Sequence, residues 1–218
     1  MHKEIFNQNQ IQLLTLVKQF KREFYLVGGT AIGLYIGHRR SFDFDLFKFS
    51  PIRPKSIVSE ISEFDYPYIV TRRVSEQMNL TINDVKFTFY QYPFKINATE
   101  KFEDILRLPE LIDLAAMKAY ALGRRSKWKD YVDLYFILKD YFTVKQISER
   151  ATFLFDQLFS EKLFRAQLSY FEDIDHTEPV EFIVTTVPDD EIKEFLIDKA
   201  TALYPEPCTQ HPATYPFL

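Results

Sequence analysis

The chain has 218 residues, of which 46% are hydrophobic and 27% are charged, a balance typical of one large globular domain or two small ones. Its formal net charge of −4 argues against broad coating of nucleic acid but allows a local basic patch. The single cysteine, Cys208, excludes an internal disulfide bond and fits a reducing cytoplasm. Because the N-terminus is polar and no apolar stretch could span a bilayer, we expect a cytoplasmic protein without signal peptide or membrane partner.

The first hundred residues predict a mixed sheet with helices. Apolar residues recur at spacings of three and four over residues 4–21, which predicts an amphipathic helix. Asn83 and Asp84 predict a hairpin turn between two strands. The remaining predicted elements of this part are strands at 24–27, 42–47, 67–74, 77–83 and 85–91, and helices at 29–36 and 55–63.

The second half of the chain predicts helices. They are expected at 109–122, 127–139, 143–158, 160–170 and 189–203. Gly123 suits the end of the first of them, and the four prolines of residues 205–218 predict an extended tail. We therefore expect an α+β protein with a sheet-containing domain at 1–100 and a mostly helical domain at 101–218.

Two aspartates alternate with apolar residues on one predicted strand. Phe42, Phe44 and Leu46 fall on one face, and Asp43 and Asp45 share the other. Two carboxylates so close repel each other, and burying them unpaired is costly. A cation between them would remove both problems, and carboxylate oxygens favour Mg²⁺ or Mn²⁺ over zinc. The alternative is a polar face at a sheet edge.

A glycine turn precedes this acidic strand. Gly28 and Gly29 end an apolar strand and open a helix, whose free N–H groups and positive end can hold an anion, and Thr30 adds a hydroxyl. A triphosphate bound there would place its outer phosphates beside a metal at Asp43 and Asp45. Such a turn also occurs for purely steric reasons, so this interpretation depends on the aspartates.

A basic loop, His38-Arg39-Arg40-Ser41, joins the helix to the acidic strand. The planar guanidinium of Arg39 or Arg40 suits phosphate, and the alternatives are a solvated loop or pairing of these arginines with nearby acids. Ser41 either holds a phosphate or shapes the loop. His38 has no obvious partner ligand, so we do not predict a metal ligand there.

Gly28-Gly29-Thr30, followed about a dozen residues later by Asp43-Phe44-Asp45, resembles the signature of the nucleotidyltransferase superfamily that includes DNA polymerase beta. The longer string at residues 37–47 is similar to the AbiEii/AbiGii toxin branch, which contains toxins of bacterial toxin–antitoxin and phage-defence systems. The resemblance implies a nucleotidyltransferase fold in which a nucleoside triphosphate and Mg²⁺ bind between a catalytic and a helical domain. It also implies transfer of a nucleotidyl group to tRNA or protein, and a cognate antitoxin as partner.

The helical half carries a second block similar to this family, residues 118–134. In the family a lysine and a Lys/Arg-Asp-x-x-Asp helix line the nucleotide cleft, which implies that Lys118 and Asp130 do so here. The alternative is a surface helix with pairs such as Lys129–Asp133, each worth a few tenths of a kcal/mol. Trp128 is expected to pack rather than to stack on a base.

One position departs from the family pattern. Members usually carry a third carboxylate on a neighbouring strand, and Thr88 occupies that place. A hydroxyl is not a useful base at neutral pH, and Asp84 lies in the predicted turn, so Asp130 is the better candidate for a general base. Two alternatives to an RNA- or protein-modifying transferase therefore stay open. They are a nucleotide-binding pseudoenzyme and a transferase that modifies a small molecule such as an antibiotic.

Overall fold

The computed structural model describes residues 1–122 and 124–202. Its strands are β1 Tyr25–Val27, β2 Asp43–Lys48, β3 Tyr68–Arg73, β4 Gln77–Ile82, β5 Val85–Gln91, β6 Glu100–Phe102 and β7 Leu106–Leu108. Its helices are α1 Gln8–Val17, α2 Gly28–Ile36, α3 Pro54–Ser62, α4 Leu111–Leu122, α5 Trp128–Asp140, α6 Val144–Phe155, α7 Glu161–Leu168 and α8 Asp189–Thr201. The predicted α+β class is confirmed, whereas the predictions for Gly123 and the 205–218 tail lie outside the described residues.

The strands form one mixed sheet with the order β3-β4-β5-β2-β1-β7-β6. Strand β2 is antiparallel to β1 and parallel to β5. Its buried face carries Phe44 and Leu46, and its partly exposed face carries Asp43 and Asp45, as the alternation predicts. The acidic strand therefore lies in the middle of the sheet, between the strand that leads into α2 and the strand that carries Thr88.

The hairpin predicted between β4 and β5 is confirmed. Asn83 and Asp84 both adopt left-handed backbone conformations, with φ of 46° and 64°. Two consecutive residues of positive φ are the mark of the two-residue turn whose twist matches that of antiparallel strands. This turn sets the register of β5 against β4, in which Thr88 lies opposite Asn79.

The N-terminal helix is shorter than the pattern predicts. Residues 4–21 divide into a 3₁₀ turn at Lys3–Ile5, helix α1, and a second 3₁₀ turn at Lys18–Phe20. The division follows from a capping box, in which the Asn7 side chain accepts a hydrogen bond from the Gln10 main chain at 2.8 Å and the Gln10 side chain accepts one from the Asn7 main chain at 3.1 Å. These reciprocal bonds begin the α-helix at Gln8.

Strands β6 and β7 have no counterpart in the sequence prediction. Each has three residues, which is too few for a clear alternation, and they exist because they pair with each other and because Arg107 pairs with Tyr25 of β1. The sheet therefore continues to Leu108, beyond the boundary expected near residue 100. The division into a sheet domain and a helical domain stays a prediction.

One hydrophobic core connects the sheet to the helices, and aromatic rings are prominent in it. The ring centroids of Phe44 and Phe87 are 5.1 Å apart under the acidic strand, and those of Tyr120 and Phe155 are 4.2 Å apart between α4 and α6. Across the described ranges, no helix is both long and apolar enough to cross a membrane. The helical part thus packs directly on the sheet beside the acidic strand.

Candidate active site

The two aspartates of β2 face a cavity of about 240 Å³. In the parallel pairing of β2 with β5, Asp45 lies opposite Thr88 and Asp43 lies opposite Lys86. The Thr88 side chain acts on the Asp45 carboxyl by lowering its pKa, against the larger effect of burial. The register therefore puts Thr88 on the same face as the two aspartates, which is the arrangement that the sequence predicts.

The electrostatics of this pair favour a bound cation. Burial raises the pKa of both carboxyls, and the charge of Asp43 raises the pKa of Asp45 further. The positive charge of Lys86 opposes the shift at Asp43, and that of Arg125 opposes it at Asp45. A divalent ion would offset burial and repulsion together, and an all-oxygen donor set is the one that Mg²⁺ or Mn²⁺ prefers. The residues present therefore fit such an ion.

Asp43 and Asp45 would provide two carboxylate ligands to a metal ion. Within residues 1–122 and 124–202, no group of three or more His, Cys, Asp or Glu side chains has the arrangement of a metal site. Thr88 supplies a hydroxyl where the sequence resemblance predicts an acid, so it adds no further negative charge. A metal held by Asp43 and Asp45 would take its other ligands from water or substrate.

The glycine turn brings the start of α2 against the acidic strand. Gly28 has φ of +72°, and a Cβ atom there would overlap Oδ2 of Asp45. A Cβ on Gly29 would lie 2.6 Å from Nη2 of Arg39 and 3.1 Å from Oγ of Ser41. Only glycine fits at these two positions without displacing the neighbouring side chains. The positive end of the helix therefore lies directly beside Asp45.

Thr30 and Ser41 connect this turn to β2. The Thr30 hydroxyl is buried and is hydrogen-bonded to Oγ of Ser41 at 2.9 Å and to the main-chain carbonyl of Asp43. Ser41 lines the cavity, and its main-chain carbonyl accepts a hydrogen bond from the Gln10 side chain at 2.8 Å. These contacts position the loop; nucleotide contacts by Thr30 and Ser41 stay predictions.

The two arginines of the basic loop have different partners. Arg39 is buried and donates from Nε and Nη2 to the two carboxylate oxygens of Asp133, at 2.8 and 2.9 Å. Arg40 instead donates from Nη1 to the main-chain carbonyls of Glu4 and Phe6 and lies 3.8 Å from the Glu181 carboxylate. The structure therefore brings Arg39 to the cavity and directs Arg40 to the N-terminal segment.

Asp133 of α5 is the fully buried centre of an ion network. Besides its bonds to Arg39, its Oδ1 lies 2.7 Å from Nε2 of His38 and its Oδ2 lies 2.9 Å from Nζ of Lys118. Burial opposes its ionisation, but the charges of Arg39 and Lys118 outweigh burial and hold its pKa well below the usual value. Burial also lowers the pKa of His38, so the neutral ring donates its Nε2–H to Asp133. The i,i+4 pairing of Asp133 with Lys129 is replaced by this network.

Lys118 of α4 joins Asp133 to Asp130. Its Nζ lies 2.7 Å from Oδ1 of Asp130, whose other oxygen accepts from Nε of Arg125 at 2.9 Å. Burial raises the pKa of Asp130, but the charges of Lys118 and Arg125 outweigh it and leave the pKa lowered. A carboxylate with a lowered pKa is a weak base, so this environment disfavours Asp130 as a general base.

Several side chains of the cavity carry no signal in the local sequence. Thr71 of β3, Asn79 of β4 and Glu178 of the segment between α7 and α8 reach it from distant parts of the chain. Their types and spacings match no pattern that could have identified them. Trp128 packs as expected, since it is buried and its ring lies 5.1 Å from that of His176.

A second cavity, of about 390 Å³, adjoins the first at Asp45. The two cavities share Asp45, Thr88, Lys118 and Arg125. The second one is lined with aromatic rings, those of Phe47, Tyr90, Tyr92 and Tyr120. It combines flat apolar surfaces with the acidic strand, whereas the first cavity is mainly polar and charged.

Comparison with solved structures identifies the fold. A candidate nucleotidyltransferase from H. pylori has a TM-score of 0.60, 16% sequence identity, and a match to 92% of this chain and 94% of that chain. JHP933 from Helicobacter pylori has a TM-score of 0.55, 17% identity and coverages of 92% and 91%. MenT4, a nucleotidyltransferase toxin from Mycobacterium tuberculosis H37Rv, has a TM-score of 0.56, 13% identity and coverages of 88% and 82%. The chain therefore has the fold of these proteins.

Sequence comparison is less extensive. No protein-family model matches the chain. The uncharacterised protein aq_aa25 of Aquifex aeolicus (strain VF5) is 32% identical in an alignment of 124 residues that covers 54% of this chain and 58% of that protein. The match thus spans less than two thirds of the relative's length.

Proposed function

We propose that this protein is a metal-dependent nucleotidyltransferase that binds a nucleoside triphosphate at the cavity beside β2 and transfers a nucleotidyl group to RNA or protein. One observation carries the proposal. Two carboxyls of raised pKa, Asp43 and Asp45, share a strand face directly against the glycine start of α2. The fold shared with MenT4 supports it.

In this proposal the acidic residues bind the metal ion, and the start of α2 and the basic residues bind the phosphates. Asp43 and Asp45 would hold Mg²⁺ or Mn²⁺, which supplies charge neutralisation and orientation of phosphate oxygens. The N–H groups at the start of α2, beside Gly28 and Gly29, would orient a phosphate. Lys118 and Arg125 border both cavities and contribute positive charge near the phosphates, although each is also paired with Asp130.

The biological setting that we propose is that of a toxin related to the AbiEii/AbiGii branch. The motifs at residues 28–45 and 118–134 support it, as does the fold in common with a nucleotidyltransferase toxin. Such a protein would act in the bacterial cytoplasm on tRNA or a protein acceptor and would be restrained by a cognate antitoxin. The nucleoside triphosphate would be its other substrate.

A nucleotide-binding protein without turnover is the second candidate. It is favoured by the absence of an acid at Thr88 together with the lowered pKa of Asp130, because neither group is then an effective base. General base catalysis is typically worth about 10²–10⁴-fold, so its loss would leave binding intact and transfer slow.

The test is transfer of label from each nucleoside triphosphate, in the presence of Mg²⁺, to total tRNA and to total protein. We expect Asp45→Asn to reduce transfer by about 100-fold or more, because loss even of an outer-shell partner of a metal site costs about 10–100-fold. Asp84→Asn is the matched control, since it makes the same change in the hairpin turn and should leave transfer unchanged. Equal transfer by the Asp45→Asn variant and the parent would contradict the proposal, and nucleotide binding without any transfer would support the second candidate.

A further inference from the structure

Two lysines at the start of α5 hold an acid from a distant segment inside the cavity. Nζ of Lys127 lies 2.8 Å from Oε1 of Glu178, and Nζ of Lys129 lies 3.3 Å from Oε2. All three residues line the same cavity as Asp43 and Asp45. A hydrogen bond from Lys127, together with the charges of both lysines, lowers the pKa of Glu178 to about 2, so it is a carboxylate at neutral pH.

The segment that carries Glu178 is attached to the main chain on both sides of it. At one end, the Asp175 N–H donates to the Ser126 carbonyl at 2.7 Å, and the Asp175 carbonyl accepts from the Trp128 N–H at 3.1 Å. At the other end, the Glu181 carbonyl accepts from the Arg40 N–H at 2.8 Å. Residues 175–181 thus form a strap from α5 to the basic loop, and Glu178 lies near its middle.

The two buried cations of the cavity, Arg39 and Lys118, have buried acidic partners on α5. Arg39 is bound to Asp133, and Lys118 is bound to Asp130 and Asp133. Lys127 and Lys129 differ, because their acidic partner is a side chain of the strap. This side chain is about one-third exposed, so the carboxylate can leave the lysines without unfolding the core.

We propose that Lys127 and Lys129 form a phosphate-binding subsite and that the Glu178 carboxylate occupies it until a phosphate displaces it. Two ammonium groups that converge on one carboxylate can also donate to the oxygens of a phosphate, because both anions accept charge-assisted hydrogen bonds. The proposal rests on the proposed function, since it assigns a further contact to the same substrate site. The phosphate belongs either to the nucleoside triphosphate or to the backbone of an RNA acceptor.

The experiment compares binding of tripolyphosphate and of a single-stranded RNA decamer by calorimetry at fixed ionic strength. Glu178→Gln should tighten binding by about fivefold, the equivalent of the roughly 1 kcal/mol that a partly exposed ion pair contributes. Glu181→Gln is the matched control, because it removes the same charge from the same strap but faces Arg40 at 3.8 Å. Adding Lys127→Ala to Glu178→Gln should abolish the gain.

The two ligands distinguish the two possible sources of the phosphate. A gain for tripolyphosphate assigns the subsite to the nucleotide, and a gain for the RNA decamer alone assigns it to the acceptor. Equal binding by the parent and Glu178→Gln, or an equal gain in Glu181→Gln, overturns the inference and leaves the proposed function standing. If no variant binds tripolyphosphate, any nucleoside triphosphate or RNA, both fail.

Discussion

At the scale of single residues, Gly28 decides whether the start of α2 can approach the acidic strand. Its φ of +72° is unfavourable for any side chain, and a Cβ atom would displace the Asp45 carboxylate. The glycine therefore has two separate effects, one on the backbone and one on the site. A second glycine, Gly37 at the end of α2, shares the first effect only, since its φ is +71° and a Cβ there would lie 2.6 Å from the His2 ring.

This pair of glycines gives a matched prediction. Gly28→Ala and Gly37→Ala should each lower the free energy of unfolding by about 1–2 kcal/mol, because a left-handed backbone is costly for an L-residue. Only Gly28→Ala should also abolish metal-dependent nucleotide transfer, because only its Cβ reaches Asp45. Urea unfolding and the labelled-nucleotide assay measure the two effects. Parental activity in Gly28→Ala would show that the close approach is not needed.

At the scale of elements, the contact between the basic loop and α5 depends on one carboxylate. Asp133 is fully buried and binds Arg39, His38 and Lys118, which come from the loop before β2 and from α4. A buried pair of this kind is stable only while each charge keeps its partner. The network therefore determines how the helical part sits on the sheet beside Asp43 and Asp45.

Asp133→Asn should lower the free energy of unfolding by about 3–5 kcal/mol, because it leaves the guanidinium of Arg39 buried without its carboxylate. Asp140→Asn, at the exposed end of the same helix, is the control and should change stability by less than about 0.5 kcal/mol. Urea denaturation followed by circular dichroism measures both. A parental midpoint for Asp133→Asn would mean that the network carries no net stability.

At the scale of the whole molecule, the two site carboxyls make the stability of the metal-free protein depend on pH. Burial raises the pKa of Asp43 and Asp45 in the folded state, so the folded protein binds more protons than the unfolded chain over the range between the usual and the raised values. Their contribution to stability is full below the ordinary aspartate pKa, about 4, and is lost as pH rises through the raised pKa. The lowered pKa of Asp133 acts in the opposite sense, at more acidic pH.

We therefore expect Asp45→Asn to be more stable than the parent at pH 7 without metal, and this difference to shrink as pH falls toward 4. Mg²⁺ should reverse the order by stabilising the parent alone, by about 2.7 kcal/mol at 100 times the dissociation constant. Thermal unfolding at several pH values, with and without Mg²⁺, measures these changes. A parent whose stability responds to neither pH nor Mg²⁺ in this way would argue against the paired carboxyls as the metal site.

The features of the fold and site that depend on neighbours along the chain can be predicted from the order of residues. The alternation at residues 42–47 placed Asp43 and Asp45 on one face, and Asn83-Asp84 set the hairpin between β4 and β5. These features are local, because side-chain direction in a strand and positive φ in a turn follow from adjacent residues.

The other features of the site depend on contacts between distant parts of the chain. Thr88 lies opposite Asp45 because β5 pairs with β2. Arg39 and Asp133 are 94 positions apart, and their pairing depends on how α5 packs against the loop before β2. Glu178 reaches Lys127 from 51 positions away, and β6 and β7 are too short to be recognised without the strands they pair with. Such contacts are set by the burial and pairing of distant elements, and no local pattern of charges or apolar residues specifies which distant group will be the partner.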